Sequence, residues 1–202
     1  MARPREFDEA TVLNAAVKKF WLHGYEATSV RDLASLMGLT GASLYNAFGD
    51  KRALYQRSLD HYLDQSVRER IERLESSLPP RDAIVAFLQE IIERSLTDKQ
   101  RRGCMLVNSA IELAPHDREF QRVVARAFTE IEVFFRRCVT KGQRDGTIAL
   151  QPADDLARLF LGIVLGIRVL ARTRPERTLL EGLARPAIAT LQPTKKKKVV
   201  RH

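Results

Sequence analysis

A short polar stretch, Thr40-Gly41-Ala42-Ser43-Leu44-Tyr45-Asn46, holds the side chains best suited to chemistry on a partner molecule. Asn46 has the donor and acceptor pair that fits adenine bidentately in a DNA major groove. Ala42 and the methyl of Thr40 are of a size to meet a thymine methyl. Nothing comparable supports catalysis. Ser109, Glu112 and His116 lie close in the chain but lack the turn that raises a nucleophile. Cys104 and Cys138 are far apart, and the four histidines are scattered, so no metal-ligand spacing occurs. With no glycine-rich phosphate loop either, we expect no enzyme activity, no metal and no cofactor.

The elements that must carry the polar stretch are legible around it. Val30, Leu33, Leu36 and Met37 recur at helical spacing, and the run stops at Gly38, which supplies the φ > 0 turn between two helices. Thr40 then opens a second helix with Leu44, Ala47 and Phe48 inward. Ala34 is small where the helices cross, and Leu44, ten residues on, plugs the gap. This is the layout of a helix-turn-helix, whose second helix enters the major groove. Upstream, an amphipathic helix from Asp8 to His23 ends at Gly24, and Ser29 with Asp32 makes a capping box. Downstream, Asp50 caps a long helix from Lys51 to about Ser77.

Taken as a set, Phe20, Gly24-Tyr25, Thr28-Ser29-Val30, Leu33-Ala34, Gly38-Leu39, Ser43-Leu44-Tyr45, Phe48 and Lys51-x-x-Leu54 resemble the tetracycline-repressor (TetR/AcrR) family of bacterial regulators. The resemblance spans about residues 8–55. It implies phosphate contacts from Tyr45 and Lys51, with Thr28 and the first amides of the leading motif helix assisting. The chain departs from the family at Gly41 and Ala42, where a basic residue and a glycine are common. That alters which bases are read and leaves the scaffold intact.

The remaining chain reads as helix after helix. Ile84, Phe87, Leu88, Ile91 and Ile92 form one stripe after Pro80, which suits a first helical position. A short helix from Cys104 to Leu113 follows, then a long stripe from Phe120 to Cys138. Pro152 starts the next helix. The last begins at Pro175-Glu176 and contains Pro186, which is expected to kink or split it. The fold class is therefore all-α: a helix-turn-helix domain at 1–50, a helical effector-binding and dimerisation domain at 51–193, and a basic, disordered tail at 194–202.

Net charge is +9, yet residues 1–55 hold seven Lys/Arg against six Asp/Glu, while the tail alone holds five Lys/Arg. Bulk charge is thus no argument for DNA binding; the motif is. The tail adds sequence-blind phosphate affinity. The longest apolar run, Leu159–Ile167, is far short of the ~20 residues of a membrane span. With no apolar stretch at the N-terminus, a cytoplasmic location is expected. A helix this apolar needs cover on two sides, so Leu159, Gly162, Ile163 and Gly166 are candidate dimer-interface residues. The resemblance implies a homodimer through a four-helix bundle of the last two helices of each chain.

Together these features imply a ligand-responsive repressor that binds a palindromic operator as a homodimer. By the resemblance, a small molecule among the middle helices tilts the Lys51–Ser77 helix and alters the spacing of the two recognition helices. Candidate ligand-lining residues are Phe87, Ile91, Cys104, Met105, Asn108, Phe128, Ile131 and Phe160, an apolar set that suits a hydrophobic or aromatic effector. Two alternatives stand beside this reading. Cys104, at a helix start after Arg101 and Arg102, has surroundings that favour a thiolate and so an oxidant or electrophile sensor; its plainer role is a small apolar core or pocket residue. The other alternative is a ligand-independent DNA-organising protein.

Overall fold

A computed structural model describes residues 8–193. The basic tail at 194–202 lies outside the described residues. Among the described residues the regular structure is all helical, without strands. In chain order the helices are α1 (Glu9–His23), α2 (Val30–Leu36), α3 (Gly41–Phe48), α4 (Lys51–Leu63), a π-helical turn (Asp64–Arg68), α5 (Glu69–Ser77), α6 (Pro80–Thr97), α7 (Met105–Glu112), α8 (Arg118–Arg144), α9 (Ala153–Leu170) and α10 (Arg177–Ala189).

Local chemistry sets the ends of the first helices as expected. Asp8, Thr40 and Asp50 accept backbone N–H groups at the starts of α1, α3 and α4. Ser29 and Asp32 form the reciprocal capping box of α2. Each satisfies amides that a helix start leaves orphaned, an effect of about 0.5–2 kcal/mol per cap. Gly38 takes φ +65° in the motif turn.

Four expectations change. The Lys51–Ser77 helix is interrupted by the π turn; Ser58 before it and Ser66 within it donate back to the carbonyls of Leu54 and Tyr62. Such back-bonding competes with the helical ladder and bends helices. Cys104 precedes α7 in an extended conformation instead of lying in its first turn. α10 is not split at Pro186 but runs on through it. Leu36, grouped by its spacing with the inward residues, is 55% exposed.

The described residues form two compact units, 8–70 with 98–127, and 71–97 with 128–193. In the first, α1 packs on α2 and α4, α3 packs on α2 and α4, and α7 packs on α4. Its centre is an aromatic cluster in which the Tyr55 ring meets Phe20, Tyr25 and Phe120 edge-on at 4.8, 5.1 and 5.5 Å. Edge-to-face pairs of this kind contribute about 0.5–1.5 kcal/mol each beyond area burial. In the second unit, α6, α9 and α10 pack pairwise. Phe87, Phe134, Phe135 and Phe160 form its buried centre, with successive ring centroids 5.1–5.4 Å apart.

Candidate nucleic-acid interface

The recognition helix α3 is anchored by two buried residues, Leu44 and Phe48, while Thr40, Gly41, Ala42, Ser43, Tyr45 and Asn46 are all exposed. The Tyr45 ring is 60% exposed, so it is not a packing residue of this unit. A side chain at position 41 would meet nothing within 4 Å. The first turn of α3 is therefore bare, and any approaching surface meets small groups there. Thr40 spends its hydroxyl as the cap, accepting from the Ser43 N–H at 3.1 Å. The same oxygen lies 2.9 Å from the Ser43 hydroxyl.

Polar contacts from α4 hold the far end of α3. The Arg57 guanidinium sits 4.7 Å over the Phe48 ring, reaches the Ala47 carbonyl, and pairs with Glu9 of α1. One arginine thus links the recognition helix to two supporting helices. Lys51 is half-buried. Its ammonium lies 4.2 Å from the centre of the Tyr25 ring and points toward the Glu26 carbonyl, 3.5 Å away. Thr28 is placed differently from its phosphate-contact expectation. It is fully buried, and its hydroxyl donates to the Gly24 carbonyl at 2.8 Å. Its side chain braces the α1–α2 loop and is not presented outward.

Sequence reasoning missed the residues that brace this loop from far along the chain. Glu112, at the end of α7, accepts the Glu26 N–H at 3.0 Å, and its carboxylate lies 3.1 Å from where a Cβ at Gly24 would stand. Gly24 itself takes φ +81°. The positive φ favours glycine there, and a Cβ would also require the Glu112 carboxylate to shift by a few tenths of an ångström. Arg52 forms a fork with Asp117 at 2.8 and 3.0 Å and reaches Glu119 at 2.7 Å. Asp117 also accepts the N–H groups of Glu119 and Phe120, capping α8. The Arg52 guanidinium, with those N–H groups, holds the Asp117 carboxyl down to about 2. Ser109 gives its one proton to the Met105 carbonyl, so Tyr55 donates to Ser109 across 2.8 Å. Burial pushes the Tyr55 hydroxyl up to about 12 and keeps it a donor. Ser109 and Glu112 are accordingly braces between helices. A carboxylate 86 residues from its amide partner leaves no periodic trace in a sequence.

The candidate ligand-lining residues fall in both units. Cys104, Met105 and Asn108 belong to the first unit. There the Tyr62 hydroxyl donates to Cys104 Sγ at 3.5 Å, Met105 is buried, and the Asn108 amide donates to the Arg102 carbonyl at 3.0 Å. Phe87, Ile91, Phe128, Ile131 and Phe160 belong to the second. All five are buried except Phe128, which is half-buried, and Phe87 and Phe160 both touch Phe135. Two described cavities lie elsewhere in that unit. One of about 430 Å³ has Arg136, Arg137, Lys141 and Arg144 in its wall, and one of about 190 Å³ lies between α6 and α10. Cys138, in the wall of the larger, is pushed up to about 12 by burial and is held as an unreactive thiol.

On α9 the candidate interface residues share an open side. Leu159 is 40% exposed and Gly162 is exposed, while Ile163 and Gly166 are half-buried. A Cβ added at either glycine would meet nothing within 4 Å. Among the described residues no group of His, Cys, Asp or Glu could hold a metal ion, and no helix is long and apolar enough to cross a membrane.

Comparison with known proteins matches these elements. A family model described as "Bacterial regulatory proteins, tetR family" matches residues 12–57, and one described as "Tetracyclin repressor-like, C-terminal domain" matches residues 80–186. The HTH-type transcriptional repressor ComR of Escherichia coli is 30% identical over 194 residues, covering 94% of this chain and 90% of its own. The uncharacterized HTH-type transcriptional regulator YezE of Bacillus subtilis is 34% identical over 154 residues, covering 76% and 79%. Among solved structures, a cysteine mutant of the TetR family regulator CifR, complexed with 26-bp double-strand operator DNA, superposes with a TM-score of 0.81. It is 31% identical and covers 93% of this chain and 98% of its own.

Proposed function

The chain belongs to the TetR family of bacterial regulatory proteins, and on that premise we propose that it is a dimeric transcriptional repressor released from its operator by a small molecule. It is a DNA-binding regulator, with Thr40–Asn46 of α3 as its reading surface. The observation that carries this is the exposed, capped α3, pinned by Leu44, Phe48 and Arg57, in a chain that shares its fold and 31% of its residues with an operator-bound regulator. Tyr45 and Lys51 take phosphates and so set the register of the helix on the duplex. Asn46 reads a base edge, with Ala42 and the Thr40 methyl beside it. The protein works in the cytoplasm, where its DNA is.

Useful specificity needs two recognition helices, with half-sites about 34–36 Å apart on the duplex. The open apolar side of α9 supports pairing through that helix. Within the first unit, Glu112 and the Arg52–Asp117 fork tie α7 and the start of α8 to the helices that present α3. A shift of α7 therefore moves the α1–α2 loop as well. A coupling of roughly 1–3 kcal/mol between effector and operator corresponds to a 5–150-fold loss of DNA affinity.

Selection of bound duplexes from a random DNA library by the full-length protein tests the reading. The expected product is one short palindrome. Retention of DNA without an enriched sequence identifies a DNA-organising protein instead, and retention of none overturns DNA binding.

A further inference from the structure

Arg168, near the end of α9, is 6% exposed and is the one buried charged residue described in the second unit. Its single hydrogen bond runs from Nη1 to the neutral hydroxyl of Ser95 at 3.2 Å. Its Nε is buried and has no partner, and no carboxylate among the described residues pairs with it. A guanidinium stays charged in protein interiors. Burying one against a lone serine is among the most costly arrangements a fold can hold. A fold that needed only volume here would use leucine or methionine. The carbonyl ends of α6 and α9 supply a partial negative potential, but none accepts from Nε.

The direction in which Arg168 points separates two explanations. It reaches α6, where Ser95 shares the buried side with Leu88 and Ile91, and on its own helix it shares the buried side with Phe160 and Val164. At about 100° per residue, Leu159 and Gly166 lie roughly 180° and 160° round α9 from it. Arg168 thus points away from the open side offered to a second subunit.

We propose that Arg168 is the anion anchor of the effector site, and that the effector is a small apolar molecule bearing a single carboxylate. The assignment rests on the reading of this chain as a ligand-released regulator. A carboxylate fits because one guanidinium edge accepts it with matched charge and geometry. A phosphate dianion would be left under-compensated, since the described interior of this unit offers no second buried cation. Leu88, Ile91, Phe160 and Val164, buried on the same sides of α6 and α9, are the apolar surface against which the body of the ligand would have to open its space.

The test melts the full-length protein with linear monocarboxylates from butanoate to dodecanoate, and with benzoate and phenylacetate, each beside its primary amide. At least one acid is expected to raise the melting temperature by about 5–10 °C at a hundredfold excess over its Kd, with its amide silent. In Arg168→Met that response is lost, and the ligand-free protein melts higher than wild type because an unpaired buried ion is gone. Arg168→Gln, which keeps a hydrogen bond to Ser95, serves if the methionine variant does not fold, and it too must lose the response. Equal shifts by acid and amide, a response that survives the substitution, or no response to any acid overturns the proposal. A variant that melts lower and sediments as monomer also overturns it, by placing the partner of Arg168 on the second subunit. Recovery of a palindrome in the DNA selection keeps the regulator reading standing whichever way the acids behave.

Discussion

Helices α3 and α9 each leave one side uncovered in the single chain, and the two sides differ in kind. That of α3 shows Thr40, Ser43, Tyr45 and Asn46, groups at ease in water or against a charged duplex. That of α9 shows Leu159, Ile163 and Val169 around Gly162 and Gly166. An uncovered polar side needs no permanent partner and can release one. An uncovered apolar side gains continuously from burial, at about 25 cal/mol per Å². The first is therefore suited to a reversible contact and the second to a lasting one.

The largest expected effect breaks the α9 side of this contrast. A Cβ added at Gly162 or Gly166 meets nothing within 4 Å in one chain, so the subunit is expected to fold with leucine there. Across a two-fold interface the same leucine overpacks by about 1–3 kcal/mol, and symmetry counts it twice. Sedimentation should show a large shift from dimer to monomer with helicity unchanged. A wild-type dimer constant for both variants removes these glycines from the interface.

Next come the substitutions that separate positioning from reading on α3. Tyr45→Ala should weaken binding to all duplexes alike. Asn46→Ala should relax preference at particular base pairs by ~1–3 kcal/mol. Binding curves on the selected palindrome and its single-base variants distinguish the two. Neither should alter the dimer, which is the contrast in its sharpest form.

A smaller effect is expected at the brace behind α3. The folded-state pKa of Asp117 lies below its unfolded value. Its contribution to stability is therefore complete above about pH 4 and is lost as pH falls toward 2. Arg52→Ala should lower the melting temperature by a constant amount above pH 4, with the gap to wild type closing between about 4 and 2. A gap independent of pH over that range contradicts the ion pair. The smallest effect is none. Cys104→Ser should leave operator release by peroxide or an electrophile the same as in wild type, because the plainer role for Cys104 is structural. Release of wild type but not of the variant makes the protein a thiol sensor.

What could be read from the chain was what depends on near neighbours. The caps at Asp8, Ser29, Thr40 and Asp50 are contacts three residues long. The turn at Gly38 is a matter of one residue's dihedrals, and the Leu33–Ala34–Leu44–Phe48 core follows from helical period. These determined which polar side chains α3 exposes and the all-helical class. The tertiary structure alone decided that Thr28 turns inward, that Glu112 rather than a nearby residue holds the Gly24–Glu26 loop, and that Arg168 lies in the interior facing Ser95. Each joins groups that periodicity cannot relate, or reverses what side-chain polarity suggests. A serine cap is selected by its own helix, whereas a buried charge or a distant carboxylate takes its meaning from whichever surface the folded chain brings against it.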